Sequence, residues 1–192
     1  MSGAQVAEAM LKHYGLSSVN VVSVPGKLTD HYNPGNRTVN LSPEVYEGCS
    51  VASAAIAAHE CGHAVQHSTA YFWLGMRTKM VPMVNASSQI MRMVFFASIF
   101  GMGLLGLGYN NILLLLIAVQ AVIASFAVVT LPVEYDASRR ALVWLKGAGV
   151  TTPNNHSMAE DALRWAARTY LVAAIAAATQ LLYYVMLYMR RN

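Results

Sequence analysis

The stretch SVASAAIAAHECGHAVQH, residues 50–67, contains no proline and is dominated by alanine, so it reads as one helix from about Ser50 to His67. Within it His59-Glu60-Cys61-Gly62-His63 is an HExxH pattern. On a helix, residues four apart share a face, so both imidazoles can reach one tetrahedral Zn²⁺ at about 2.0–2.1 Å. Glu60 projects beside them rather than onto the metal. There it can take a proton from a zinc-polarised water and pass it to a leaving amine. The pattern points to metal-dependent hydrolysis of peptide bonds, with one zinc per chain and Glu60 as general base.

A catalytic zinc of this kind wants a third protein ligand and one open position, commonly two histidines and a carboxylate. Four carboxylates follow the motif: Glu134, Asp136, Glu160 and Asp161. Ser157-Met-Ala-Glu160 reads as a capping box opening the last long helix, and Asp161 falls in the same first turn, where the helix dipole favours acids. Glu134 comes directly after an apolar stretch that leaves the motif's side of a membrane and returns to it. It is therefore the expected third ligand. His67 lies about 6 Å further along the helix than His63 and suits a supporting or surface role. His31 and His156 are candidates for polarising a scissile carbonyl, although loop histidines are usually just solvated.

Three stretches have the length of spanning helices, about 17–25 residues: Met93 to Tyr109, Ile112 to Leu131 and Tyr170 to Met189. The first two form a hairpin turning at Tyr109-Asn110-Asn111. Gln120 and Gln180 place amides at membrane depth, where each should face a protein neighbour. Gly101-x-Gly103-x-x-Gly106 formally matches a dinucleotide fingerprint but lies inside an apolar run, where close helix packing is its expected use. The remaining elements are a short helix over Ala4 to Tyr14, strands at Val19 to Val24 and Thr38 to Leu41, and a polar helix-plus-loop segment from Glu134 to Arg168.

Composition agrees with a membrane protein. Among 192 residues, 56% are hydrophobic and 11% charged, against about 25% charged in soluble proteins, and the mean hydropathy is +0.41. The formal net charge of +4 is carried by scattered Lys and Arg without the aromatic interleaving of a nucleic-acid groove, so no nucleic-acid partner is expected. The partners implied are a polypeptide substrate and a lipid bilayer. Cys49 and Cys61 allow at most one disulfide, which points to a reducing compartment. No signal peptide is expected at the start. Arg77, Lys79 and Arg92 precede the hairpin and Arg139, Arg140, Lys146, Arg164 and Arg168 follow it, which puts the catalytic segments on the cytoplasmic side, with Arg190 and Arg191 dissenting.

The segments AAHECGHAVQH and LPVEYDASRRAL, separated by the hydrophobic hairpin, resemble the YugP-type membrane zinc metallopeptidases. The likeness extends to DHYNPGNRTVNLSPEVY and ARTYLVAAIAAATQ and so covers nearly the whole chain. By motif order the chain is more distantly similar to the HtpX and CAAX-prenyl-protease group. There a glutamate ligand opens an E-Y-x-A-D pattern, matched here by Glu134-Tyr135-Asp136-Ala137-Ser138. The resemblance implies Glu134 as ligand, and implies that Ser138, where the wider group has an aspartate, hydrogen-bonds a ligand histidine without the charge. It also implies that the strand at Thr38 to Leu41 is an edge against which an extended peptide lies, with Asn40 or His31 near the cleft. Relatives usually begin with one more transmembrane helix.

The expectation is an α+β, mainly helical integral membrane protein in a bacterial inner membrane, with an HExxH zinc-protease core, a small β-sheet, a transmembrane hairpin and a C-terminal transmembrane helix. It is read as one domain over 1–192: a strand and helix part at 1–89, the hairpin at 93–131, the third-ligand helix and loop at 132–168, and the last span at 169–190. The rival reading is a catalytically inactive membrane scaffold or metal-binding protein on the same fold.

Overall fold

The computed structural model describes residues 1–99 and 108–190. The chain divides into two compact units, Met1–Gly75 with Pro132–Arg168, and Met76–Leu131 with Thr169–Asn192. It is mainly helical, with one small sheet.

In the first unit, α1 (Gly3–His13) starts at a capping box between Ser2 and Gln5 and buries Val6, Ala7, Met10 and Leu11 on one face. The sheet has three strands, β1 (Asn20–Ser23), β2 (His31–Asn33) and β3 (Thr38–Leu41), in the order β1-β3-β2. β1 runs parallel to β3, from Asn20 opposite Thr38 to Ser23 opposite Leu41. β2 runs antiparallel, with Tyr32 opposite Val39. This corrects the expectation that Thr38 to Leu41 is an edge. β3 is the central strand, and both of its backbone rows are occupied by neighbours. The edges are β1 and β2, and the one that meets Glu60 of α3 is β2, three residues too short and too polar to be read as a strand from periodicity.

The one-turn helix α2 (Pro43–Tyr46) leads to α3 (Val51–Ser68), where the Ser50 hydroxyl accepts from the Ser53 N–H as N-cap. Alanines 54, 55, 57, 58 and 64 are buried along α3 and pack with Val6, Met10, Val39, Leu41, Trp144 and Leu145 in one apolar cluster. Small side chains on α3 are what let its neighbours approach closely.

Helix α4 (Phe72–Ile99) begins well before the expected first span, and most of the remainder of that span, with the glycine pattern at 101–106, lies outside the described residues. Helix α5 (Tyr109–Gly147) is one continuous 39-residue element. The expected turn at Tyr109-Asn110-Asn111 is therefore its first turn, entered where the N–H groups of Asn111 and Ile112 donate to Gly108 O. Helix α6 (His156–Met189) starts one residue before Ser157, so the expected capping box lies inside the helix, and Glu160 instead faces His156 one turn back at 3.6 Å.

In the second unit Gln120 Nε2 donates to Ala177 O at 3.0 Å, a protein partner as anticipated, whereas Gln180 Nε2 donates to Tyr184 Oη within its own helix. Among the described residues two helices, α5 and α6, are long and apolar enough to cross a membrane. Only 28% and 6% of their apolar windows are buried, whereas the core helix of a soluble protein would be mostly covered.

Candidate metal centre

The site is built where α3 meets α5. A Cβ added at Gly62 would stand 2.7 Å from Ala137 O and 3.1 Å from Ala137 Cα, so only glycine permits this approach. On α3 the residues four apart are His59 and His63; on α5 they are Glu134 and Ser138, and the two pairs face each other across the Gly62–Ala137 contact.

The donor atoms of His59, His63 and Glu134 all lie within 4.8 Å of one another, and all three residues are largely buried. His59 Nε2 is 3.2 Å and His63 Nε2 3.6 Å from Glu134 Oε2. A tetrahedral site with bonds of about 2.0–2.1 Å has ligand-to-ligand edges of about 3.3–3.4 Å, and the two separations bracket that value. Two of the three edges thus suit a tetrahedral divalent metal, and a set of two imidazoles and one carboxylate is of the kind that holds a catalytic zinc. Burial alone would push the Glu134 carboxyl up, but hydrogen bonds from His59 and His63 and their charge outweigh it and hold the group far below the usual carboxylate range. For His63, burial disfavours the imidazolium, yet the bond to Glu134 and the charges of Glu60 and Glu134 more than offset this and leave its pKa raised. A proton on the imidazole occupies the place that a cation would take.

The outer ring nitrogens are also engaged. His59 Nδ1 is 3.1 Å from Ser138 Oγ, and His63 Nδ1 is 3.0 Å from Gln66 Oε1. Gln66, fully buried, carries no motif in the sequence; its only signal is a polar residue on the motif's helix three positions after His63.

Glu60 is 8% exposed, and its Oε2 accepts from the backbone N–H of Tyr32 on β2 at 3.0 Å. Tyr32 therefore spans the active face of α3, because its hydroxyl also lies 2.9 Å from His67 Nδ1, two turns beyond Glu60. No motif marked Tyr32. His31 sits on the same edge strand, exposed, with Nδ1 donating to Thr29 O. The Asn40 amide is buried and donates to His31 O and to both oxygens of Thr38, joining β2 to β3. His156 is engaged by Thr151 Oγ1 at 2.8 Å and by Glu160, and does not join the group of His59, His63 and Glu134. Cys61 is a buried free thiol that burial, aided by the Glu60 charge, pushes well up, and it donates to Ala7 O as a packing group.

The family model described as "Putative neutral zinc metallopeptidase" matches residues 1–189. The chain is 38% identical over 188 residues to the "Putative membrane protease YugP" of Bacillus subtilis (strain 168), covering 98% of this chain and 81% of that protein. No solved structure matches the chain.

Proposed function

This chain belongs to the family described as putative neutral zinc metallopeptidases, and from that premise we propose that it is a membrane endopeptidase acting through one zinc held by His59, His63 and Glu134. The observation that carries the reading is the convergence of those three buried donors within 4.8 Å, beside a glutamate held by a backbone N–H. When bound, zinc supplies Lewis acidity, polarising the scissile carbonyl and acidifying the attacking water. Glu60 takes the water's proton and returns it to the leaving amine. With Oε2 anchored on Tyr32 N–H, Oε1 is the oxygen that carries the proton.

The same hydrogen bond suggests how substrate lies. In an antiparallel ladder a residue's N–H and C=O turn to the same side. Because Tyr32 N–H turns to Glu60 and away from β3, Tyr32 O also faces the outer edge of β2. An extended polypeptide adding to that edge would bring its own N–H groups to Tyr32 O and its scissile bond to Glu60. His31, on the same strand, would border it.

The bilayer setting rests on α5 and α6 and on the name of the Bacillus relative, and the Lys and Arg flanking their apolar stretches favour a cytoplasmic site at a bacterial inner membrane. We read residues 1–192 as one functional domain. The test is metal content and casein-type proteolysis by detergent-purified protein beside Glu60→Gln and Glu134→Ala. Glu60→Gln should keep about one zinc and lose cleavage, and Glu134→Ala should lose both. Wild type that binds zinc, yet is no more active than Glu60→Gln on any polypeptide, would favour the inactive scaffold. Absence of zinc would refute the proposal.

A further inference from the structure

We propose that Gln66 and Asp136 are positioning residues that lock His63 into the one tautomer able to bind a metal through Nε2; the role rests on the metallopeptidase reading, while the lock itself does not.

Gln66 is 0% exposed, and a buried primary amide is tolerated only where its groups are paired. Its Nε2 lies 2.8 Å from Val133 O and 3.0 Å from Asp136 Oδ2. A backbone carbonyl can only accept, and so can an ionised carboxylate. Asp136 is kept ionised by Arg140 Nε at 2.5 Å and by Arg139 Nη2, both on its own helix. The Arg140 guanidinium also lies over the Tyr71 ring, 5.7 Å from its centroid. Both amide hydrogens of Gln66 are thus committed, and the amide cannot be turned over without setting its oxygen against two acceptors. Its Oε1 must face His63 Nδ1, 3.0 Å away.

An amide oxygen only accepts, so His63 Nδ1 must carry the hydrogen. In the protonated ring both nitrogens donate, Nδ1 to Gln66 Oε1 and Nε2 toward Glu134; in the neutral ring the closer Nδ1 bond at 3.0 Å keeps its hydrogen, and Nε2, 3.6 Å from Glu134 Oε2, has the lone pair. The order Arg139 and Arg140, Asp136, Gln66, His63 ties the ring through one amide to an ion-paired carboxylate, and the bond from Nδ1–H to Gln66 Oε1 makes the ring a better donor. His59 has no such lock at Nδ1, since the Ser138 hydroxyl there can donate or accept. The two histidines are therefore unequal. His63 is preset by the fold, and His59 takes up its metal-binding tautomer when the ion arrives.

The test uses the full chain in detergent, with zinc alone as ligand. Gln66→Met keeps bulk and helix propensity but removes both the acceptor and the relay. Its zinc affinity, by chelator competition, should fall about 10- to 100-fold. In zinc-free wild type at alkaline pH, nitrogen NMR of labelled histidine should show His63 as the Nδ1–H form. Gln66→Met should abolish that preference. Asp136→Asn serves as a second probe should Gln66→Met fail to fold; it leaves Val133 O as the one obligate acceptor holding the amide, and should produce a tautomer mixture at His63 and weaker zinc binding. A wild-type ring in the Nε2–H form would overturn the lock. Affinities within about threefold of wild type in both variants would overturn the positioning role. Should the wild type bind no zinc, the metallopeptidase reading and the positioning role fall together, while the tautomer measurement still decides the lock.

Discussion

Gly62 sets the distance between the two helices that carry the site, and Gly62→Ala tests this directly. The added methyl would meet Ala137 O at 2.7 Å, where ordinary contact begins near 3.4 Å, so α3 and α5 must part by about 0.7 Å. The atoms in the way are backbone, so no side-chain rotation relieves the clash. Overpacking of this kind costs about 1–3 kcal/mol, offset by about 1 kcal/mol for alanine over glycine in a helix. The net loss should be about 0–2 kcal/mol, visible as a lowered thermal midpoint of the zinc-free protein. The larger effect should fall on the metal. Ligand distances tolerate about ±0.2 Å, so moving Glu134 away from both histidines should weaken zinc by more than about tenfold. Gly75→Ala is the control, because a methyl there meets nothing within 4 Å, and it should be neutral or stabilising. Equal stability and equal zinc affinity for Gly62→Ala and Gly75→Ala would refute the idea that glycine spacing builds the site.

Tyr32→Pro removes the N–H that holds Glu60 Oε2, and since that N–H faces away from β3 the sheet should survive. Proteolysis should fall at least about tenfold with zinc content unchanged; unchanged kcat/KM would show that the anchor is dispensable. Tyr32→Phe cuts only the exposed bond to His67 and should change stability by less than about 1 kcal/mol in denaturant melts. Ser138→Ala leaves His59 Nδ1 without its hydroxyl partner and should weaken zinc by roughly tenfold in chelator competition, with no loss of folding by circular dichroism. Acid should strip the metal early. His63 is raised above the ordinary histidine value in the zinc-free protein, so its proton competes with zinc from a higher pH than an unperturbed histidine's would. Apparent zinc affinity, measured by chelator competition from pH 8 downward, should begin to fall above the ordinary histidine value near about 6.5; an affinity constant down to pH 5 would contradict that ordering.

Much of this molecule can be read before any coordinates, because the relevant signals are local. Helix α3 follows from an alanine-rich run with a serine cap, and the partnership of His59 and His63 follows from the four-residue period of that helix. Apolar length alone marks α5 and α6 as helices able to cross a membrane. Glu134 was reachable by chain order, since few carboxylates follow the motif and one stands just after an apolar stretch. The family likeness was legible for the same reason, resting on contiguous motifs and matching over residues 1–189.

What remained hidden depends on contacts between residues far apart in the chain. Strand β2 is three polar residues whose extended form comes from pairing with β3, so periodicity could not reveal it, and the edge was assigned to the wrong strand. The Tyr32 anchor on Glu60 links residues 28 apart, and the Gln66 bond to Asp136 links residues 70 apart. No spacing rule connects either pair. The amino-acid sequence by itself determined which groups could hold a metal and which helices could enter a bilayer, because helical periodicity and apolar length are properties of short segments. Only the tertiary structure decided how those groups are aimed at one another, because orientation is set by packing at Gly62 and by hydrogen bonds that exist once α3, α5 and the edge of β2 have met.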